Sequence, residues 1–382
     1  MRIGMILDKV FPPDPRVENE AIELIKNGYE VFLFCLTYGE EQQEETINQI
    51  NVKRYQSNKL EYKLSALAYT VPFYSLLMKN KIADFLFKNK IEAIHIHDIR
   101  IAEAVFLANK KQQLPVVLDL HDNMPEVMKF YPHLQKFPGK YIISPKKWKQ
   151  KEEAFIKKAD KVITVSQEFV NEVVERTKIT ENKVVLVPNT IRKSFYDSFE
   201  LNTAIIKKYK DNFVILYLGD THVRRGLLTA IRAVAKLKEQ IPTVKLVIVG
   251  KNTTDYVLKA EVEKLKITKF VDFEGWQNVS LFPSYIEASS ICISPLRRNI
   301  QHDVAYANKL FQYMSLAKPL LVSNAIAQKN LIEKINGGLV HEAQNVADFE
   351  DKVLTLYNDT ALRQELGKNG ENFVKNEFTW DK

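Results

Sequence analysis

The stretch FVILYLGDTHVRRGLLTAIRAVAKL, residues 213–237, carries the reading of the fold. An apolar run from Phe213 ends at Gly219, a short polar loop carries Arg224 and Arg225, and after Gly226 the apolar residues recur at helical spacing. Strand, loop and helix N-terminus together make an anion-binding geometry, because free backbone N–H groups and the helix dipole both face the loop. Two arginines beside it favour a diphosphate, since a guanidinium offers a planar fork of donors. For an isolated Arg-Arg pair a solvated surface turn is the better reading, so a second element has to decide.

That element is SPLRRNIQHDVAYANKLFQYMSLAKPLLVS, residues 294–323. A strand ends at Pro295, a long polar loop follows, and a helix starts near Asn308. Lys309, Gln312 and Tyr313 stand at i, i+3 and i+4 and share one helix face. Lysine suits a phosphate and Gln312 suits sugar hydroxyls. Further apolar, β-branched runs fall at 2–7, 30–36, 93–98, 115–121, 161–166 and 184–188, then at 244–250, 290–295 and 319–323, alternating with helical segments. This alternation predicts an α/β chain with parallel sheets covered on both faces. The polar segment 189–212 separates two sets of strands, which puts one Rossmann-like domain at 1–195 and a second at 210–382. Two wound sheets facing across a cleft would bind ligands at the C-terminal strand ends.

A length of 382 residues, 46% of them apolar, suits two well-packed domains. No run approaches the ~20 apolar residues of a membrane span, and RIGMILD opens the chain as a strand, so a cytoplasmic place is expected. Cys35 and Cys292 lie in apolar strands of different halves and read as small buried hydrophobes. His95, His97 and Asp98 resemble a metal cluster, but no further ligand set is evident in the sequence and the metal reading is weak.

In chain order, DPRVENEAIELIKNGYEV, LDLHDNMPE, ADKVITVS, VVLVPNTI, LYLGDTHVRRG and NKLFQYMSLAKPLLVS resemble the retaining glycosyltransferases of family four, over nearly the whole chain. The resemblance implies the GT-B fold, a nucleotide-diphosphate sugar donor in the C-terminal domain and an acceptor in the N-terminal one. Arg225 stands where the family has the basic residue of its Lys-Gly pair, on the donor diphosphate. Asp220 replaces the family's companion arginine, with Arg224 as the substitute. Gln312 replaces the glutamate that binds the ribose, and Val304 falls where the family has an earlier glutamate. His121 matches the family's histidine at the transferring sugar. The resemblance thus gives catalytic roles to His121, Arg225 and Lys309, and donor contacts to Gly219, Arg224, Trp276, Asn308 and Gln312. It gives acceptor or sugar contacts to Asp14, Arg16 and Asp122. It also implies transfer with retention and without a metal, positive side chains and helix ends stabilising the leaving diphosphate; no Asp-x-Asp pair occurs in the sequence. Relatives normally have a final helix beyond a tryptophan like that of NFVKNEFTWDK, so the last helix is expected to be cut short.

The net charge of +8 leaves nucleic acid, anionic lipid and phosphorylated small molecules open as partners. Residues 129–151 hold seven lysines and no acid, interleaved with Phe130, Tyr131, Phe137, Tyr141 and Trp148. Residues 59–90 mix lysines with Tyr62, Tyr69, Phe73, Tyr74, Phe85 and Phe87. Core aromatics with solvated lysines would look the same in any one stretch. Two such stretches in the acceptor half suit an anionic inner membrane face and a glycan or lipid-linked acceptor, as in cell-surface polysaccharide synthesis. Nucleic acid is not expected, because no binding module accompanies the charge. The rival readings are a nucleotide-sugar epimerase of the same fold and a non-catalytic nucleotide-sugar-binding or partner protein.

Overall fold

The computed structural model describes residues 1–381. They fall into two compact units that part between Pro188 and Asn189. The first carries strands β1 (Arg2–Ile6), β2 (Glu30–Thr37), β3 (Glu44–Ile47), β4 (Ile50–Gln56), β5 (Ala93–His97), β6 (Val116–Asp119), β7 (Lys161–Thr164) and β8 (Val184–Leu186). They lie in the order β3-β4-β2-β1-β5-β6-β7-β8, all parallel except the β3–β4 hairpin. The second unit has β9 (Phe213–Leu218), β10 (Val244–Val249), β11 (Val271–Gly275), β12 (Ile291–Ser294), β13 (Leu320–Ser323) and β14 (Gly338–His341), ordered β11-β10-β9-β12-β13-β14.

Parallel strands covered on both faces read as unbroken apolar runs, which is why the central strands were visible in the sequence. The pleat of β9 divides its residues between two layers. Phe213, Ile215 and Tyr217 join the core under the helix Leu227–Gln240, and Val214, Leu216 and Leu218 join the core around Phe311 and Met314. In each unit the strand order reverses beside the first strand, between β1 and β5 and between β9 and β12. The loops leaving those strands are where an open α/β sheet takes its ligand.

Four strands were not expected. β3 and β4 form the polar edge of the first sheet, where only Ile50, Val52 and Arg54 of β4 turn inward. β11 and β14 are the edges of the second, and β14 opens at Gly338, where a Cβ would come 2.2 Å from the Leu320 carbonyl oxygen. Edge strands are short and partly solvated, so their apolar signal is thin. The expected interdomain segment also differs. Residues 189–212 belong wholly to the second unit, because Thr190 Oγ1 donates to the Phe378 carbonyl and Trp380 Nε1 donates to the Thr190 carbonyl, at 2.6 and 3.0 Å.

Both cysteines are buried and free, and burial pushes each thiol up to about 12. Among the described residues no helix is long and apolar enough to cross a membrane. The two lysine-rich stretches split their aromatics: Tyr69, Tyr74, Phe85 and Trp148 are core, whereas Tyr62, Phe73, Phe87, Phe137 and Tyr141 are exposed.

His302 and His341 are buried in the second unit, and desolvation pushes both down to about 4. Their unfolded value is near 6.5, so between those values the unfolded chain binds more protons. Stability is therefore complete above pH 6.5 and falls as pH drops toward 4, by at most ~3 kcal/mol per histidine. Denaturant unfolding at pH 7.5 and 4.5 should show this loss, and the double variant His302→Gln/His341→Gln should flatten it.

Candidate functional site

In the second unit a cavity of about 210 Å³ opens where β9 and β12 diverge, lined by Tyr217, Gly219, Asp220, Arg225, Phe282, Lys309 and Gln312. The loop that brings Asp220 and Arg225 to it is one that only glycine can close. Gly226 has φ +80°, and a Cβ there would lie 1.7 Å from the Pro295 carbonyl oxygen, so the loops after β9 and β12 meet backbone to backbone. Arg297 N–H donates to the Arg224 carbonyl at 3.2 Å and ties them again. Asp220 organises this loop, accepting from Arg225 Nε at 3.2 Å, Asn252 Nδ2 at 2.7 Å and His222 N–H at 3.2 Å. Burial works to raise its pKa, but Arg225 and these hydrogen bonds outweigh it and hold the carboxyl below the usual range. The loss of the family's arginine at this position thus has a structural consequence: Asp220 fixes Arg225 in place.

Lys309 opens the helix Lys309–Ser315 and is only 9% exposed, with Nζ 3.5 Å from the centre of the Tyr217 ring. Burial, then repulsion from Arg225, push its pKa well below the ordinary lysine value. Such a lysine gains strongly from an arriving anion. Tyr313, expected on the same face, is fully buried instead, its hydroxyl accepting from Leu218 N–H at 2.7 Å. Of the residues expected at the donor, Gly219, Arg225, Lys309 and Gln312 line this cavity, and Arg224, Trp276 and Asn308 do not. Trp276 is 72% exposed at the end of β11, and Asn308 is the N-cap residue of the lysine-bearing helix.

The first unit has a larger cavity, about 730 Å³. Lys9, Asp98, Arg100, His121 and Asp122 make its polar wall, and Met124, Met128, Ile143 and Trp148 an apolar one. His121 and Asp122 are therefore where the sequence put them, at the end of β6. Asp14 and Arg16 are not among the lining residues. Asp14 caps the helix Pro15–Lys26, accepting from Val17 N–H at 3.3 Å. Arg16 is 5% exposed, and its guanidinium holds Asp119 through Nε and Nη2 at 3.0 and 2.9 Å, Glu20 at 2.9 Å and the Val187 carbonyl at 3.1 Å. It is a strut of the fold and has no face left for an acceptor.

Behind the cavity lies a buried charge cluster that the sequence did not disclose. His95 and His97 alternate on β5 toward the face of Glu20, and β5–β6 register sets His97 beside Asp119. Imidazole nitrogens and carboxylate oxygens stand 3.5–3.9 Å apart. The structure thus supplies acids that local sequence could not, but the cation among them is Arg16, already bonded to both carboxylates. Asp98 points elsewhere, to Lys9 Nζ at 3.3 Å. Burial and Asp119 raise Glu20 well above its ordinary value; burial opposes ionisation of Asp119, but Arg16 and His121 hold it well below. Burial lowers His95 and His97. For His121 burial is outweighed by Asp119 and Asp98, which bring it up to about 9.

The model of glycosyl transferases group 1 matches residues 198–373, and that of glycosyltransferase family 4 matches residues 16–195. The chain belongs to the family four glycosyltransferases. Among curated relatives, this glycosyltransferase is 23% identical over 230 residues to the capsular polysaccharide biosynthesis glycosyltransferase CapM of Staphylococcus aureus. That match spans 58% of this chain and 58% of the relative's length. Among solved structures, sucrose-phosphate synthase from Thermosynechococcus elongatus superposes over 100% of this chain and 95% of its own, with a TM-score of 0.78 at 18% identity. Anabaena Alr3699/HepE in complex with UDP matches over 100% and 96%, with a TM-score of 0.73 at 16% identity, and has also been solved with UDP-glucose. These likenesses give the glycosyltransferase its GT-B fold class.

Proposed function

We propose that this glycosyltransferase moves a sugar from a nucleotide-diphosphate donor in the second unit to an acceptor in the first, with retention and without a metal. The observation that carries the reading is Lys309: buried, with no carboxylate in contact among the described residues, and beside Arg225 in a cavity at the sheet's ligand edge. Arg225 and Lys309 bind the diphosphate and stabilise the charge that develops as the sugar leaves. Gln312 accepts a ribose hydroxyl through its amide oxygen. On this reading the acceptor's proton passes to the departing phosphate, so no dedicated base is required. UDP and UDP-glucose in the HepE structures make uridine donors the first to try.

Screening nucleotide-diphosphate sugars by thermal shift tests this. At about a hundred times Kd, a ligand of the folded state adds ~2.7 kcal/mol. One nucleotide series should raise the melting temperature, and Arg225→Ala or Lys309→Ala should abolish the response. Silence toward every donor at millimolar concentration would favour a non-catalytic partner protein, the reading that Asp220 and Gln312 suggest.

For the acceptor we propose a glycan or lipid-linked glycan of cell-surface polysaccharide synthesis, met at the inner membrane face. Phe137 and Tyr141 are 84% and 77% exposed among lysines, and the Thr70 hydroxyl donates to the Ile142 carbonyl at 3.0 Å, joining the two lysine-rich stretches on one surface. At low salt the protein should float with anionic vesicles, and Phe137→Ser/Tyr141→Ser should cut binding at least ~10-fold, since each buried aromatic is worth ~1.5–3 kcal/mol. A parent protein that stays entirely in the soluble fraction overturns this placement.

A further inference from the structure

We infer that His121 acts as a cationic hydrogen-bond donor toward a ligand oxygen that carries or gains negative charge, with Asp119 and Asp98 as the positioning residues that keep it protonated. Its Nε2 lies 2.9 Å from Asp119 Oδ2, and Asp119 is itself pinned by the two bonds from Arg16. Nδ1 lies 3.9 Å from Asp98 Oδ2 on the other edge of the ring. One edge is thus committed to the buried cluster, and the other lies on the side of Asp98, which lines the same cavity.

Asp98 is held there at a cost. Its backbone has φ +66° and ψ 160°, a region nearly confined to glycine, and its N–H donates to the Asp119 carbonyl at 3.0 Å. Strain of this kind, about 1–3 kcal/mol, persists where surrounding structure imposes it and gathers at functional sites. The other groups facing His121 do not cancel the two carboxylates. His97 Nδ1, at 3.1 Å from Nε2, and His95 are both driven toward the neutral form by burial. Burial and Asp119 raise Glu20, Lys9 is paired with Asp98, and Arg16 is divided between Asp119 and Glu20.

A histidine so held cannot serve as a general base: its ring already carries the proton, and Nε2 is engaged. What it can do is donate from Nδ1 to an oxygen in the cavity, a charge-assisted bond about twice as strong as a neutral one. The inference rests on the transferase reading only for what occupies the cavity, because the charge state is measurable without any sugar.

The test is a proton–nitrogen long-range NMR titration of the full chain labelled at histidine, with His121 assigned by its loss in His121→Gln. Imidazolium nitrogens at pH 7.5 and a midpoint near 9 are expected. In Asp98→Asn the midpoint should fall by a unit or more; asparagine has the shape of aspartate and the same backbone restrictions, so this variant adds no strain beyond that already present. The kcat/KM of the parent should decline above pH ~9, and that decline should move down with the NMR midpoint in Asp98→Asn, which a merely structural Asp98 would not produce. A neutral His121 at pH 7.5, or a midpoint unmoved in Asp98→Asn, overturns the inference. Failure of donor binding with the titration intact would refute the transferase reading and leave the His121 assignment standing.

Discussion

Lys309→Met should destroy turnover and make the protein more stable. Keeping Lys309 charged where no carboxylate is in contact among the described residues costs several kcal/mol of desolvation, the cause of its lowered pKa, and a stacked tyrosine ring returns only a part. Methionine fills the same channel with a flexible apolar chain, so the variant should gain roughly 1–3 kcal/mol in denaturant unfolding. The same change removes the positive charge that the proposed function directs at the departing diphosphate. By analogy with loss of a single preorganised donor, kcat should fall about 10²–10³-fold. Opposite signs for stability and activity are the signature of a residue kept for its ligand. A variant less stable than the parent, or one that still responds to donor in the thermal-shift screen, would remove Lys309 from the proposed site.

Arg16→Met should have the opposite character, with a large loss of stability preceding any statement about function. Two buried carboxylates, Asp119 and Glu20, lose their shared counter-ion and the Val187 carbonyl loses a donor. Breaking a buried pair from one side costs about 3–5 kcal/mol. For a unit of this size that is roughly 10 °C in melting temperature. The loss should be smaller at acid pH, because Glu20 is already driven toward its protonated form and neutralises most readily there. Arg16→Lys should rescue only in part, since an ammonium cannot reach Asp119 through two parallel bonds and Glu20 together. A change below 1 kcal/mol at pH 7 would mean that the cluster is compensated by something other than this guanidinium.

The contrast between Lys309 and Arg16 shows where sequence reading works. Lys309 and Arg225 were legible because each lies on the connection from a strand with an unbroken apolar run to a following helix, a short loop for Arg225 and a longer one for Lys309, so that strand and helix frame the residue within one local stretch of sequence. Arg16 was given a ligand contact by the family resemblance, and its partner Asp119 went unseen because it lies 103 residues away, beyond any local pattern. One signal could have corrected it. Arg16 and Glu20 are four apart on the helix Pro15–Lys26, beside the buried Val17 and Ala21, which places an ion pair on the apolar face. His95 and His97 were noticed and their acids were not, for the same reason of distance. Asp98 was noticed only as a possible metal ligand beside His97, because its distinguishing property is a backbone angle that the sequence does not disclose. Missed strands β3, β4, β11 and β14 sit at or next to sheet edges, where solvent on one side removes the apolar run that marks a central strand.

The contact of Gly226 with the Pro295 carbonyl bears on how quickly and how uniformly the second unit can take up its ligand. Two loops fused at backbone distance cannot order separately, so the cradle has one shape before anything arrives. Little conformational entropy is then left to lose on association, and the heat-capacity change should reflect displaced water rather than newly folded chain. Chemically different nucleotides would meet the same rigid mould, and discrimination among them would fall to the bases and riboses that it leaves outside.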